Sequence, residues 1–177
     1  LAVVDSNIGW NKVDRNISRS LRYRVDLRDI ESPVAQVFVE YRNTGTGTSD
    51  ACSSQIRKTF ATYSEYTNGC YWNLFRIYVA EGANLVNGDI LSLPSNSVYH
   101  LLGLGSSGDN TLDTGFDEGG GFVSGLIVIP PGETRSVSFE LGMPISIVEF
   151  EKDSLHYELT LVAQPGAQGR EAIIEIE

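Results

Sequence analysis

The chain has 177 residues, of which 41% are hydrophobic and 20% charged, with a formal net charge of −10. These values are typical of one globular domain that buries a two-layer core without needing a metal. The acidic balance disfavours nucleic acid and anionic membrane surfaces as partners, and no apolar run reaches the roughly 18 residues that span a bilayer.

Residues 1–17 differ in pattern from the rest of the chain. Asp5 and Ser6 are candidate helix caps, and apolar residues follow them at helical spacing. Those residues are Trp10, Val13 and Ile17. We expect residues 1–17 to form a short helical or extended lead-in that joins a missing upstream domain, followed by one β domain over residues 18–177. The opening Leu1, in place of Met, also predicts a longer parent protein.

From Ser20 onward the hydrophobic period changes from helical spacing to strict alternation. Segment 21–28 places apolar residues at every second position, between arginines and an aspartate. Such alternation predicts a strand with one buried face. A turn over 29–33 and a second alternating run over 37–41 complete a predicted β-hairpin.

Residues 43–69 predict a long polar loop that ends beside the second of two cysteines, Cys52 and Cys70. No Cys-x-x-Cys motif or nearby histidine supports a zinc site. A disulfide would close the loop, stabilise the fold by about 3 kcal/mol, and imply an oxidising compartment. Two unrelated buried thiols remain the alternative.

Segment 71–80 is apolar on both faces, which predicts a central strand buried on both sides. Short apolar runs on either side of Asn87-Gly88-Asp89 predict a second hairpin, because Asn-Gly favours the tight turns that join strands. Segment 98–102 is a further candidate strand, and the glycine-rich residues 103–121 predict a loop.

Segments 122–129 and 135–142 predict strand, turn and strand around Pro130-Pro131-Gly132, because proline cannot donate to a β ladder. Candidate strands over 156–162 and 172–176 bring the total to about eight or nine. The fold class is therefore all-β, and an immunoglobulin- or fibronectin-like sandwich of antiparallel strands is the expected architecture. A barrel is the alternative.

Two glycine- and acid-rich motifs fall in the region that predicts a loop. Gly103–Gly108 matches G-x-G-x-x-G, but no helix pattern follows it, so a dinucleotide site is rejected. The acidic segment after it supplies oxygen ligands suited to calcium, although without EF-hand spacing. Its candidate ligands are Asp109, Asp113 and Asp117. A solvated loop without an ion is the simpler interpretation, and no other cofactor is expected.

Catalytic motifs are scarce in this sequence. The two histidines, His100 and His156, belong to no local catalytic motif, and no G-x-S-x-G nucleophile elbow occurs. We therefore expect no enzymatic activity. Aromatic residues cluster around the second cysteine, and Tyr63, Tyr66 and Trp72 are candidates for stacking on a glycan. Packing into the core is the alternative role for these rings.

Several segments together resemble a known family. They are Val3–Asp14, Arg19–Val25, Tyr41–Thr44, Cys70–Val79 and Val128–Thr134. In this order they resemble the C-terminal region of bacterial envelope proteins in the family called domain of unknown function 4012. The resemblance covers nearly the whole chain and implies a larger, membrane-anchored parent that lies mainly outside the cytoplasm. The family has no assigned activity, and so no catalytic residues, to carry over.

The leading functional hypothesis is a non-enzymatic, extracytoplasmic structural or interaction module of a bacterial cell-envelope protein. Its partners would be other envelope proteins or glycans, without insertion of this part of the chain into the membrane. The alternatives are a glycan-binding module that uses the loop aromatics, a calcium-stabilised adhesion-type domain, and an accessory domain of a hydrolase or transferase.

Overall fold

A computed structural model describes residues 1–48, 52, 60–91, 93, 112–165 and 171–177. Within these residues it contains eleven strands and three short helical segments, so the predicted all-β class is confirmed. The strands are β1 (Ala2–Asn7), β2 (Ile17–Asp26), β3 (Val34–Asn43), β4 (Tyr71–Tyr78), β5 (Asn84–Ile90), β6 (Asp113–Asp117), β7 (Gly120–Ile129), β8 (Thr134–Gly142), β9 (Val148–Glu151), β10 (Ser154–Tyr157) and β11 (Glu171–Ile176). The helical segments are the α-helix α1 (Tyr63–Thr67) and two 3₁₀ turns, Val13–Asn16 and Ile145–Ile147.

The strands form a sandwich of two sheets plus one separate hairpin. The four-stranded sheet has the order β1-β4-β7-β6, and the five-stranded sheet has the order β11-β2-β3-β8-β5. Neighbouring strands are antiparallel, except that β11 is parallel to β2. Strands β9 and β10 form the two-stranded hairpin. One hydrophobic core, drawn from the inward side chains of both sheets, fills the space between them.

The predicted β2–β3 hairpin is confirmed, and its register shows why the alternating pattern was informative. Leu21 pairs with Val39, and Tyr23 pairs with Val37. All four side chains are buried, whereas the intervening Arg22 is exposed. Side chains one position apart in a strand point to opposite faces, so the alternation fixed which face is buried.

The strands on either side of Pro130-Pro131-Gly132 lie in different sheets. β7 pairs with β4 and β6, whereas β8 pairs with β3 and β5, so the turn is a corner between layers. Buried Asn43 fixes this corner. Its backbone N–H donates to Glu133 O, its carbonyl accepts from Gly132 N, and its side-chain amide donates to Ile129 O at 3.0 Å.

Strand β4 is central, as predicted, since it lies between β1 and β7. Its predicted burial on both faces is wrong beyond Trp72, because Leu74 on the outer face is 39% exposed. The predicted hairpin at Asn87-Gly88-Asp89 is wrong, because β5 runs straight through these residues along β8. A register shift between Leu85 and Asn87 accommodates them within the strand. Glycine is also frequent at β-bulges, so an isolated Asn-Gly pair does not distinguish a bulge from a turn.

Of the two forms expected for the lead-in, helical or extended, the structure shows mainly the extended one, since β1 is followed by a short 3₁₀ turn. β1 pairs with β4 along its whole length, so the predicted boundary between residues 17 and 18 does not separate two structural units. Val13 and Ile17, taken as one face of a helix, are both buried in the core of the sandwich. Trp10 adopts a positive φ of 56° where the chain turns between β1 and the 3₁₀ segment.

Other differences concern the segments predicted as loops and the last strands. Residues 103–121 were predicted as a loop, but β6 lies within that range, and α1 lies within the predicted loop 43–69. The candidate strand 98–102 lies outside the described residues. The predicted strand over 156–162 ends at Tyr157. Beyond it, the backbone runs beside the N-terminus, where Val162 N donates to Leu1 O.

Candidate functional site

The predicted disulfide between Cys52 and Cys70 is confirmed. It joins the residue just before β4 to the long connection that follows β3. Both cysteines pack in a small hydrophobic cluster with Trp72, Leu93 and Leu126. Leu126 lies in β7, beside β4, so the bridge helps to cover the outer face of the four-stranded sheet. A bond of this kind indicates an oxidising environment.

The three loop aromatics do not form one exposed platform. Trp72 is only 6% exposed because it packs against the disulfide, whereas Tyr63 is 61% exposed. Tyr66 is half-buried and its ring lies 5.0 Å from the ring of Phe60. A buried indole cannot stack on a sugar, so Trp72 is not a glycan contact, and the platform predicted from the three rings is wrong.

The two tryptophans differ in exposure, and this difference gives a direct test. Trp10 is 67% exposed and Trp72 is buried. We expect a Trp10→Phe variant to emit only from Trp72 and to resist quenching by acrylamide. A Trp72→Phe variant, as the matched control, leaves the accessible emitter. Equal quenching of the two variants would contradict the burial of Trp72.

The acidic residues predicted as calcium ligands are not brought together in the described part of the chain. Asp109 lies outside the described residues. Asp113 and Asp117 are four residues apart in β6, which separates their backbones by about 13 Å. Asp117 Oδ2 accepts from Arg76 Nη1 and from the Tyr78 hydroxyl, at 2.9 Å each. No cluster of metal-ligating side chains is found among the described residues.

A buried ion pair, which the sequence analysis missed, links the two sheets. Arg19 Nε donates to Asp5 Oδ2 at 2.8 Å, and both side chains are 2% exposed. The other carboxylate oxygen, Asp5 Oδ1, accepts from the Tyr41 hydroxyl and from the Asn73 amide, at 2.8 Å each. These residues lie on β1, β2, β3 and β4, so one carboxylate bridges four strands in two sheets.

The remaining donors of Arg19 are also bonded. Its Nη1 donates to Ile17 O at 3.1 Å, and its Nη2 donates to the Tyr71 hydroxyl at 2.9 Å and to Asp14. Burial alone would lower the pKa of Arg19, but the oxygens of Tyr71 and of the two carboxylates outweigh it and raise that pKa. Gln164 also holds the Asp5 backbone in place. Its side-chain oxygen accepts from Asp5 N, and its side-chain Nε2 donates to Asp5 O.

A signal for this network was present in the sequence. The alternation of β2 extends to Ile17, which places Arg19 at an inward position. A charged side chain at such a position requires a buried partner. Asp5 falls two residues after buried Val3 and so also faces inward. We call the set Asp5, Arg19, Tyr41, Tyr71 and Asn73 the inter-sheet network.

A cavity of about 320 Å³ lies beside the β9–β10 hairpin and includes His156 among its lining residues. His156 is exposed and lies across from Glu149 in the hairpin register. Inside the cavity, the hydroxyls of Tyr23 and Tyr157 bond to each other at 2.8 Å. Burial raises the pKa of the Tyr23 hydroxyl, and its hydrogen bond with Tyr157 raises it further. A hydroxyl that holds its proton so firmly is a poor base or nucleophile.

The buried tyrosines predict a loss of stability in alkali. Burial raises the pKa of both Tyr23 and Tyr71 above the value of about 10 for an unfolded tyrosine. The folded chain therefore keeps protons that the unfolded chain releases. Their contribution is fully present below about pH 10 and falls as pH rises further. We expect urea unfolding at about pH 9 to 11 to show this decline and Tyr23→Phe to reduce its slope. A flat profile would contradict it.

The outer face of the five-stranded sheet carries a groove of about 500 Å³. Its lining side chains come mainly from β2, β3, β5 and β8, and they include Phe38, Arg22, Gln36, Glu140 and Asp89. Most are polar, whereas the corresponding outer face of β4 packs against the disulfide. The two outer faces of the sandwich therefore differ: one is covered around Trp72 and Leu126, and the other offers an open polar groove.

No protein-family model, curated protein or solved structure matches this chain. None of the helices in the described residues is long and apolar enough to cross a membrane.

Proposed function

We propose that this chain is an extracytoplasmic structural or interaction module of a bacterial cell-envelope protein. The observation that carries the proposal is the bridge between Cys52 and Cys70. Structural disulfides persist in oxidising compartments and are rare where thiols are kept reduced. Both cysteines are packed against Trp72 and Leu126, which suits a structural bond rather than a reactive one.

The use of the buried polar groups supports a structural role over a chemical one. Both carboxylate oxygens of Asp5 are bonded to donors on other strands. The hydroxyls of Tyr23 and Tyr157 bond to each other. A catalytic acid or base has to reach a substrate with an exchangeable proton, but these groups hold the sandwich together instead.

The resemblance to the C-terminal region of the domain of unknown function 4012 family supports the same proposal. That resemblance would place the chain in a larger, membrane-anchored parent, with other envelope proteins or glycans as partners. The net charge of −10 would limit nonspecific association of the chain with other molecules in such a setting.

The redox state of the two cysteines in cells tests the proposed location. Cells that express the full-length parent are quenched in acid, and free thiols are alkylated before and after reduction with two mass-distinguishable reagents. Peptide mass spectrometry then reads Cys52 and Cys70 separately. We expect both to carry only the label added after reduction.

A Cys52→Ala variant is the matched control, because its Cys70 has lost its partner in the bridge. In that variant Cys70 takes the first label, which shows that the reagent reaches it. Digestion of the module by a protease added to intact cells, or to cells with a permeabilised outer layer, is the second readout. Two thiols reduced in the cell, or a module protected until the inner membrane is broken, would overturn the proposal.

A further inference from the structure

The groove on the five-stranded sheet has a repeating arrangement fixed by strand register. Phe38 lies in its central row, between Arg22 of β2 and Ser138 of β8, with Asp89 of β5 beyond Ser138. The next row places Arg24, Gln36, Glu140 and Asn87 side by side on the same strands. One aromatic ring therefore lies among two rows of mostly polar side chains.

The neighbour of Phe38 on β8 is small, and this leaves the ring accessible on that side. Ser138 is its partner there, and the next side chain in the row is Asp89 of β5. Phe38 is 37% exposed, although its strand is in the middle of the sheet. The exposed face of the Phe38 ring and the short Ser138 side chain beside it form a flat surface open to solvent, which we call the shelf. An aromatic side chain offers such an open surface at little conformational cost.

Three planar polar groups near Phe38 are available for new bonds, those of Arg22, Gln36 and Glu140. In the described part of the chain, the Arg22 side chain has no hydrogen-bond or ion-pair partner. Gln36 Nε2 donates to Glu140 Oε2 at 3.4 Å, a long and exposed contact that a ligand could replace. Guanidinium, amide and carboxylate groups can each bond two neighbouring hydroxyls at once.

The charges in the groove narrow the class of ligand. Arg22 and Arg24 are opposed by Glu140, Asp89 and Glu175, so neither sign dominates. Acidic groups beside the ring disfavour phosphate and nucleic acid. Phe38 and Ile173 of β11 are separated in their row by Arg22, so they do not form the continuous apolar surface that holds a hydrophobic peptide by several buried anchors. A neutral, flat molecule rich in hydroxyl groups satisfies both the ring and the polar rows.

We propose that this groove binds a neutral oligosaccharide, whose flat sugar face stacks on Phe38 while its hydroxyls bond to Arg22, Gln36 and Glu140. The volume of about 500 Å³ is in the range of small-molecule sites. This site differs from the loop aromatics predicted from the sequence. It rests on the proposed interaction role of the module, for which it names the partner class.

Titration of the isotope-labelled protein with cellohexaose, and separately with chitohexaose, tests the proposal by amide chemical shifts in NMR. We expect one of the two sugars to shift amides of β2, β3 and β8 progressively. Phe38→Ala should weaken that binding by about tenfold, the size of a lost ring contact. Phe38→Trp keeps a stacking surface and should retain binding, with a change in indole fluorescence on addition of sugar.

Tyr63→Ala is the matched control, because Tyr63 is the exposed ring among the loop aromatics. It should leave sugar affinity unchanged. Thermal unfolding of each variant shows that it is folded before it is titrated. No shifts with either sugar, or equal affinity in Phe38→Ala, would overturn the assignment. If the sugar titration fails but Cys52 and Cys70 are oxidised in cells, only the proposal of a glycan-binding groove is rejected. The proposed extracytoplasmic location then stands.

Discussion

Replacing Arg19 with methionine should lower the free energy of unfolding by about 3–5 kcal/mol, a large fraction of the stability of a domain of this size. The reason is the carboxylate left behind. The Asp5 side chain is 2% exposed and would lose its ion pair with Arg19 while remaining out of water. Urea unfolding, followed by far-ultraviolet circular dichroism, measures the change.

The exposed ion pair between Arg24 and Glu177 provides the matched control. Its side chains are 40% and 41% exposed. Water screens such a pair, so Arg24→Met should lower the free energy of unfolding far less than Arg19→Met does. The double variant Asp5→Asn, Arg19→Met removes both buried charges and should recover part of the lost stability. Similar small losses in the two arginine variants would show that the inter-sheet network contributes little.

The inter-sheet network also explains how the two layers keep their relative position. Hydrophobic packing alone tolerates sliding, because one aliphatic contact can replace another. The carboxylate of Asp5 accepts bonds from β2, β3 and β4 with fixed distances and directions. A shift of one sheet would leave buried donors without acceptors, at a cost of about 1–3 kcal/mol for each. The network therefore specifies the alignment that packing leaves less defined.

Much of the fold could be predicted from the sequence because alternation reports a local property. In β2 and β8 the residues of even number are mostly polar and those of odd number mostly apolar, so their faces could be assigned without a structure. What alternation does not report is the partner of each strand. β7 and β8 are separated by a tight turn, yet they lie in different sheets. Pairing depends on distant residues such as Asn43, which no local pattern connects to the turn.

The candidate site was harder to predict for a related reason. Trp72 was recognised as part of an aromatic cluster, but its burial depends on Cys52 and Leu93, which are distant in sequence. No sequence motif marks Phe38, because a single aromatic residue on the solvent-facing side of a strand forms no recognisable pattern. The helix α1 has a local signal in the sequence, since Thr62 and Glu65 have capping-box spacing and the Thr62 side chain accepts from Glu65 N.

Removing the disulfide is the second change with a large expected effect. A Cys52→Ala, Cys70→Ala variant should lose about 3 kcal/mol of stability, since an unbridged unfolded chain gains the entropy that the closed loop withheld. Reduction of the wild-type protein keeps both sulfur atoms and breaks only the bond. Urea unfolding of the reduced protein should therefore show nearly the same loss of stability as the double variant. A smaller loss on reduction would mean that part of the variant's loss comes from the packing of the two sulfur atoms.

The same bond should control the shielding of Trp72. Cys52 packs in the cluster that contains Trp72, and the disulfide is what holds it beside Cys70. In the Trp10→Phe background we expect reduction to increase acrylamide quenching of Trp72 while the circular dichroism of the sheets is retained. That combination would show that the bridge holds Cys52 over Trp72 on the outer face of the four-stranded sheet. It would also show that the core and the inter-sheet network suffice to keep the sandwich folded. Complete unfolding on reduction would instead show that neither the core nor the network suffices without the bridge.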